Sequence, residues 1–165
     1  MNKIIVKNTS NPNEGYSDKE VLKNDTIQHQ KDVANVLSMI AEHLKQIGSK
    51  HDWTKIEYFD DFANDTLERL DTPDFKSREW YKIHTTLERH HINARVPSDV
   101  DLFDVLEMIV DCLVAGETRG VDFNPYFLIL KSGVLDKAYW NTVWKIKDNI
   151  IMSENETSDD FKKND

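Results

Sequence analysis

The sequence predicts an all-α chain folded as a single helical domain of about six helices. Three observations lead there. Apolar residues recur at helical spacing over most of the chain, as in Val33, Val36, Leu37, Ile40, Leu44 and Ile47. Five glycines and four prolines leave little turn material for a many-stranded sandwich or barrel. With 165 residues, 39% of them hydrophobic, the chain is long and apolar enough for one sizeable core.

The elements follow in order. Residues 1–24 read as an N-terminal arm, in which Ile4-Ile5-Val6 is a short strand or a patch lying on the domain. The domain proper spans 25–152. Asp25 or Thr26 caps a first helix over about 26–47, and Gly48 stands where a left-handed C-terminal residue is expected. His29 falls in its first turn, four residues before Val33 and so on the buried side. A second helix starts at Asp52 or Trp53 and carries Trp53, Ile56, Phe59, Ala63 and Leu67 inward, ending before the turn Asp71-Thr72-Pro73-Asp74. A third runs from near Ser77 through Trp80, Ile83, His84, Leu87 and His91, and breaks at 93–97.

Ser98 or Asp99 caps the fourth helix, whose apolar positions Leu102, Phe103, Leu106, Ile109, Val110 and Leu113 are the densest in the chain. It should be the most buried, ending at Gly116. Asn124-Pro125 opens a short fifth helix to Lys131, closed by Gly133. Asp136 caps the sixth, through Trp140, Val143, Trp144, Ile146 and Ile150. The four tryptophans, at 53, 80, 140 and 144, are expected in the core. The acidic tail, 153–165, is expected to be disordered.

Charge narrows the partners. Lys and Arg number 21 against 30 Asp and Glu, a net −9, which repels a nucleic-acid backbone. A small phosphorylated ligand stays open, because a bound dication changes the local field. Cys112 stands alone, which suits a reducing compartment. There is no signal-peptide pattern and no apolar run near the ~18 residues that span a bilayer. A cytoplasmic protein with no membrane partner is expected; oligomeric state is not legible.

The chemistry lies in the metal-binding side chains. Asp111 sits among Ile109, Val110, Cys112 and Leu113, and a lone buried carboxylate is costly without a partner or a metal. Glu107 and Asp104 lie four and seven residues earlier, forming an acidic stripe that either faces solvent or meets positive charge. His51-Asp52 follows Gly48 at a junction between helices, where one nitrogen and one oxygen can turn to a shared point. His29, His51, Asp52 and Asp111 together suit a divalent ion with open positions for water.

In this order the four residues resemble the HD-domain superfamily of metal-dependent phosphohydrolases. The first helix matches as His29-Gln30-Lys31-Asp32-Val33, and the metal pair as His51-Asp52-Trp53-Thr54-Lys55. The resemblance covers roughly 26–120. A smaller set of uncharacterised phage and bacterial HD-like proteins is similar in three further strings: Trp80 to His84, His90-His91, and Leu106-Glu107-Met108-Ile109-Val110-Asp111. Trp53-Thr54 departs from the small apolar residue and Gly that many members carry there.

The resemblance implies an HD-like helical fold and one or two divalent ions (Mn, Fe, Co, Zn or Mg). It implies hydrolysis of a nucleotide or nucleotide-derived small molecule by a metal-activated water; the alternative is a catalytically silent, nucleotide-binding or regulatory protein. Asp52 or Glu107 would orient or deprotonate the water, and Lys55 and His84 would neutralise phosphoryl charge. His84 and His91 are seven apart, within about 20° on an ideal helix, whereas His90 points away unless the helix has ended. His84 with His90 or His91 would bind a second ion, or line the pocket and contact phosphate. Arg89, Arg95 and Arg119 are candidate contacts to an anionic substrate. Each residue also has an ordinary reading: a core histidine for His29, a helix cap for Asp52, surface charge for Lys55 and the arginines.

Overall fold

The computed structural model describes residues 1–7, 9, 15, 18–67, 75–120 and 125–153. The expected Asp71–Asp74 turn, the Asn124 cap and the tail from residue 154 lie outside the described residues. The described residues are mostly helical, with one short two-stranded sheet, as the all-α expectation requires. The elements are β1 (Ile4–Val6), α1 (Lys19–Ser49), α2 (Trp53–Glu57), α3 (Phe59–Leu67), α4 (Glu79–Leu87), α5 (Leu102–Arg119), α6 (Val134–Lys147) and β2 (Ile150–Met152). Single 3-10 turns at Phe75–Ser77 and Pro125–Leu128 punctuate the loops. Among the described residues no helix is long and apolar enough to cross a membrane.

The chain groups into two units: the described residues of Met1–His43 with Ile146–Asp165, and Leu44–Lys145. In the first, β1 and β2 pair in parallel, Ile4 opposite Ile150 and Val6 opposite Met152. Ile150 therefore leaves the sixth helix, which ends at Lys147. Ile150 and Ile151 are β-branched and fit a strand once Ile4–Val6 offers a partner. α1 starts at Lys19, ahead of the expected cap, because Asp18 takes that role: its Oδ1 accepts the Glu20 and Val21 amides at 2.8 and 2.9 Å. Buried Asp32 accepts the Lys7 amide at 3.1 Å and Gln28 Nε2 at 3.0 Å, tying the end of β1 to α1.

In the second unit the core is Ile92, Val100, Val105, Met108, Val134 and Ala138. α5 is capped by Asp101, not Ser98 or Asp99. The Asp101 side chain accepts the Phe103 and Asp104 amides, and Asp104 returns a bond to the Asp101 amide. This is a capping box closed by Asp in place of the usual Glu. α5 runs past Gly116 to Arg119, and left-handed Gly120 (φ 60°) closes it. The dense apolar pattern of α5 misled on its face: Phe103, Val105 and Met108 are buried, while Leu106, Val110 and Leu113 are exposed. A helix apolar on several sides does not declare which side packs. Trp53, Ile56, Trp140 and Trp144 are likewise exposed, not core.

Two breaks shape the site. The expected second helix divides at Tyr58 (φ −109°, ψ 44°) into α2 and α3. The expected third helix stops at Leu87, where Glu88 turns extended (φ −79°, ψ 120°), so Glu88–His91 form a turn instead of a further helical turn.

The packing difference is measurable with one residue type. Ile92→Ala, at 1% exposure, should cost about 2–5 kcal/mol in urea unfolding. Ile56→Ala, at 76% exposure, should stay within about 0.5 kcal/mol. Equal losses at the two positions would contradict the packing described.

Candidate metal centre

His51 and Asp52 sit in the turn between α1 and α2. The Lys50, His51 and Trp53 amides bond back to Ile47, Gly48 and Lys50 carbonyls, which winds the chain tightly there. Asp52 is left-handed (φ 57°, ψ 26°) and makes no side-chain cap to α2. Its carboxylate is thereby free to meet residues from α4, the turn after it, and the neighbouring His51. Gly48, by contrast, lies inside α1 and is not the left-handed residue expected there.

The carboxylate faces two sets of imidazoles. Asp52 Oδ1 lies 3.5 Å from His84 Nε2 and 3.6 Å from His90 Nε2. Asp52 Oδ2 lies 3.5 Å from His51 Nε2 and contacts Lys55 Nζ. Asp111 Oδ1 is 3.4 Å from the same His51 nitrogen. Three groups of side chains are thus positioned to hold a metal ion: Asp52 with His84, His90 and His91; His51 with Asp52 and Asp111; and His51 with His90 and Glu107. Within each group one ligand atom per residue lies within 4.8 Å of the others.

Buried polar atoms support a cation here. Asp52 Oδ1 and both ring nitrogens of His90 are buried with no hydrogen-bond partner. Burying such groups unpaired costs on the order of 1–3 kcal/mol each, and a divalent ion would satisfy them. A mixed nitrogen and oxygen donor set is of the kind that divalent ions take.

Behind the rings stands Glu107, four residues before Asp111 on one face of α5. Its Oε1 is 3.0 Å from His51 Nδ1. It is also 3.3 Å from His90 Nδ1, off the line a hydrogen bond needs. An acceptor at Nδ1 puts the ring hydrogen there and turns Nε2 of His51 towards Asp52 and Asp111. Glu107 thus holds the Nδ1 side of His51.

The acidic stripe of α5 is met by three side chains from other parts of the chain. His51 meets Asp111, and His51 with His90 meets Glu107. Arg89 clasps Asp104 with Nε and Nη2, both at 2.7 Å, and reaches Asp99 at 3.0 Å. Arg89 is therefore a structural clamp, not an open substrate contact. Arg95 donates to the Thr86 carbonyl at 3.0 Å. The Arg119 side chain lies outside the described residues.

His29 is not among the grouped ligands. It is exposed on α1 and lines a cavity of about 350 Å³ with Lys7, Asp32 and Val33, in the first unit. The sequence had also aimed His90 away; because α4 ends at Leu87, His90 turns in and joins the cluster beside His91.

Two residues of the centre went unmarked in the sequence, Thr54 and Glu88. Thr54 Oγ1 is 2.6 Å from His84 Nδ1 and 2.8 Å from Glu88 Oε1, and the Thr54 amide donates to that same oxygen at 2.9 Å. Thr54 lies in the His-Asp-x-x-Lys string, but nothing local ties it to Glu88, 34 residues on.

A cavity of about 460 Å³ opens on the centre, lined by Lys55, Phe62, Trp80, Tyr81, His84, His91 and Asp111. A second, mostly apolar cavity of about 350 Å³ meets His51, Glu107 and Asp111 from the side of Leu44, Ile47, Leu106 and Val110.

The histidines differ in charge. The Asp111 and Glu107 carboxylates raise His51 to about 10, against burial. Burial, with the neighbouring His91, lowers His84 to about 3; burial, with His90, lowers His91 to about 4. Burial pushes Glu107 upward, but His51 and His90 outweigh it and hold it at about 2. His51 holds Asp111 below its ordinary value.

These directions fix the pH response of the metal-free protein. Below about pH 6.5 the unfolded chain protonates at His84 and His91 while the fold does not, so stability falls as pH drops towards 4. Between about 6.5 and 10 the fold keeps the His51 proton that the unfolded chain has lost, so stability falls as pH rises. Urea midpoints in chelator should peak near pH 6.5; a midpoint rising steadily from pH 6.5 to 9 would contradict the charge state of His51. His29→Ala should leave metal content unchanged, whereas His84→Gln should lower affinity by more than about tenfold, read by elemental analysis and chelator competition.

Comparison of the chain with known protein families, with curated proteins and with solved structures gives no match, so the reading of the centre rests on its own geometry.

Proposed function

We propose that the chain is a metal-dependent phosphohydrolase of the HD-domain kind, acting on a nucleotide or nucleotide-derived small molecule. One observation carries the reading: Asp52, with histidines on either side of its carboxylate, lies beside Asp111 where a cavity with a lysine at its edge opens. The order His51-Asp52, then Asp111, matches the resemblance in the sequence. The imidazole expected from His29 is supplied instead by His84, His90 and His91.

His51, Asp52 and Asp111 would hold one ion, and Asp52 with His84, His90 and His91 another. A divalent ion held there supplies Lewis acidity and a water of lowered pKa. The chain's own groups do the rest. Lys55, beside Asp52 and lining the cavity, neutralises an incoming phosphate. Asp111 has the more open carboxylate, 31% exposed against 20% for Asp52. Held ionised by His51, it accepts a hydrogen bond from water in the cavity and orients it; its lowered pKa makes it a weak base. Phe62 and Tyr81 offer flat apolar surface to the organic part of the substrate.

Purified protein incubated with Mn²⁺, Fe²⁺, Co²⁺ or Zn²⁺ should retain metal and release phosphate from at least one member of a nucleotide panel. Asp52→Asn and Asp111→Asn should each lower that rate by more than about 100-fold. Metal uptake without phosphate release would favour the silent, regulatory alternative; no uptake at all would remove the hydrolase reading.

A further inference from the structure

We propose that Thr54 and Glu88 are positioning residues that fix His84 with its ring hydrogen on Nδ1, presenting the Nε2 lone pair to an ion held with Asp52. The proposal rests on the metal reading above but not on hydrolysis.

The argument is a count of hydrogens. Glu88 Oε1 accepts from both the Thr54 amide and the Thr54 hydroxyl. A hydroxyl has one hydrogen, and here it goes to Glu88. The 2.6 Å contact between Thr54 Oγ1 and His84 Nδ1 then needs the imidazole to donate. A neutral imidazole with hydrogen on Nδ1 carries a lone pair on Nε2. Thr54 is 0%, His84 3% and Glu88 6% exposed, so bulk water offers no competing partner.

The other side of the ring agrees. If His84 Nε2 carried hydrogen, Asp52 Oδ1 would be a natural acceptor; instead it lies 3.5 Å away and has no donor. His84 Nε2 is also 2.7 Å from His91 Nε2, a separation that requires hydrogen on one nitrogen only. With His84 as acceptor that hydrogen belongs to His91, and it must leave that nitrogen when both rings bind one ion. Trp80 stacks on His84 at 4.9 Å and 15°, which holds the ring plane while Thr54 sets its hydrogen.

The test joins a spectroscopic signature to an affinity. In the metal-free protein, nitrogen NMR of the imidazoles should show His84 protonated at Nδ1 and bare at Nε2. Thr54→Val, nearly equal in shape, should lose that fixed tautomer and bind Zn²⁺ about 10- to 100-fold more weakly, and Thr54→Ser should restore both. Hydrogen on Nε2 in the unaltered protein overturns the proposal without any variant, even if Thr54→Val fails to fold. So does a Thr54→Val protein whose Zn²⁺ affinity stays within about twofold of the parent. Unaltered protein that takes up no Zn²⁺ overturns it together with the metal reading. Zn²⁺ affinity that follows Thr54 while no nucleotide is hydrolysed sustains the proposal and removes only the hydrolase.

Discussion

A single left-handed residue governs the centre. An aspartate at a helix start normally adopts extended backbone and turns its side chain onto the amides of the first turn. Asp52 does neither, and it is the one non-glycine residue with positive φ among those described. The conformation costs about 1–2 kcal/mol for most L residues, less for Asp. What it yields is direction: the carboxylate leaves the α2 amides and stands between His51 and the His84–His90 pair. Strain of this kind persists where surrounding contacts over-determine it, and here Lys55 and three histidines surround the group.

Charge balance then determines how the elements meet. α5 carries Asp104, Glu107 and Asp111 on one side, an arrangement that repels itself unless cations intervene. Arg89 from the turn after α4 meets the first, and the histidines meet the other two. The same turn delivers His90 and His91, so the clamp on Asp104 and the donors of the centre are placed by one local event, the stop of α4 at Leu87. Burial sharpens the contrast among the rings. His51 is charged by two carboxylates, while His84 and His91 are kept neutral, the form in which an imidazole can donate to a metal.

Support for the rings comes from behind on two sides. Glu107 faces Nδ1 of His51, and Thr54, held by Glu88, faces Nδ1 of His84. Both leave Nε2 turned towards Asp52. Side chains placed behind the rings in this way reduce the reorganisation needed when a cation arrives, because the ring orientations are already set, although the charged His51 must first lose its Nε2 proton. The cavities differ accordingly: the one beside Lys55 and His84 mixes charged and aromatic groups, the one beside Leu106 and Val110 is mostly apolar.

The sequence by itself determined what depends on neighbours a few residues apart. Helical class follows from a local period, and the pairing of His51-Asp52 with Asp111 was legible because junction residues and a carboxylate among apolar neighbours stand out in the string. Tertiary structure decided what depends on distant partners. It set which side of α5 packs, since Leu106 and Val110 are as apolar as Met108. It brought His90 into the cluster, because α4 ends at Leu87 and the chain turns there. It turned Arg89 from a candidate substrate contact into the partner of Asp104, and joined Thr54 to Glu88 across 34 positions. No periodicity encodes such contacts; they exist only once the backbone has brought hydrogen-bond donor and acceptor within about 3 Å.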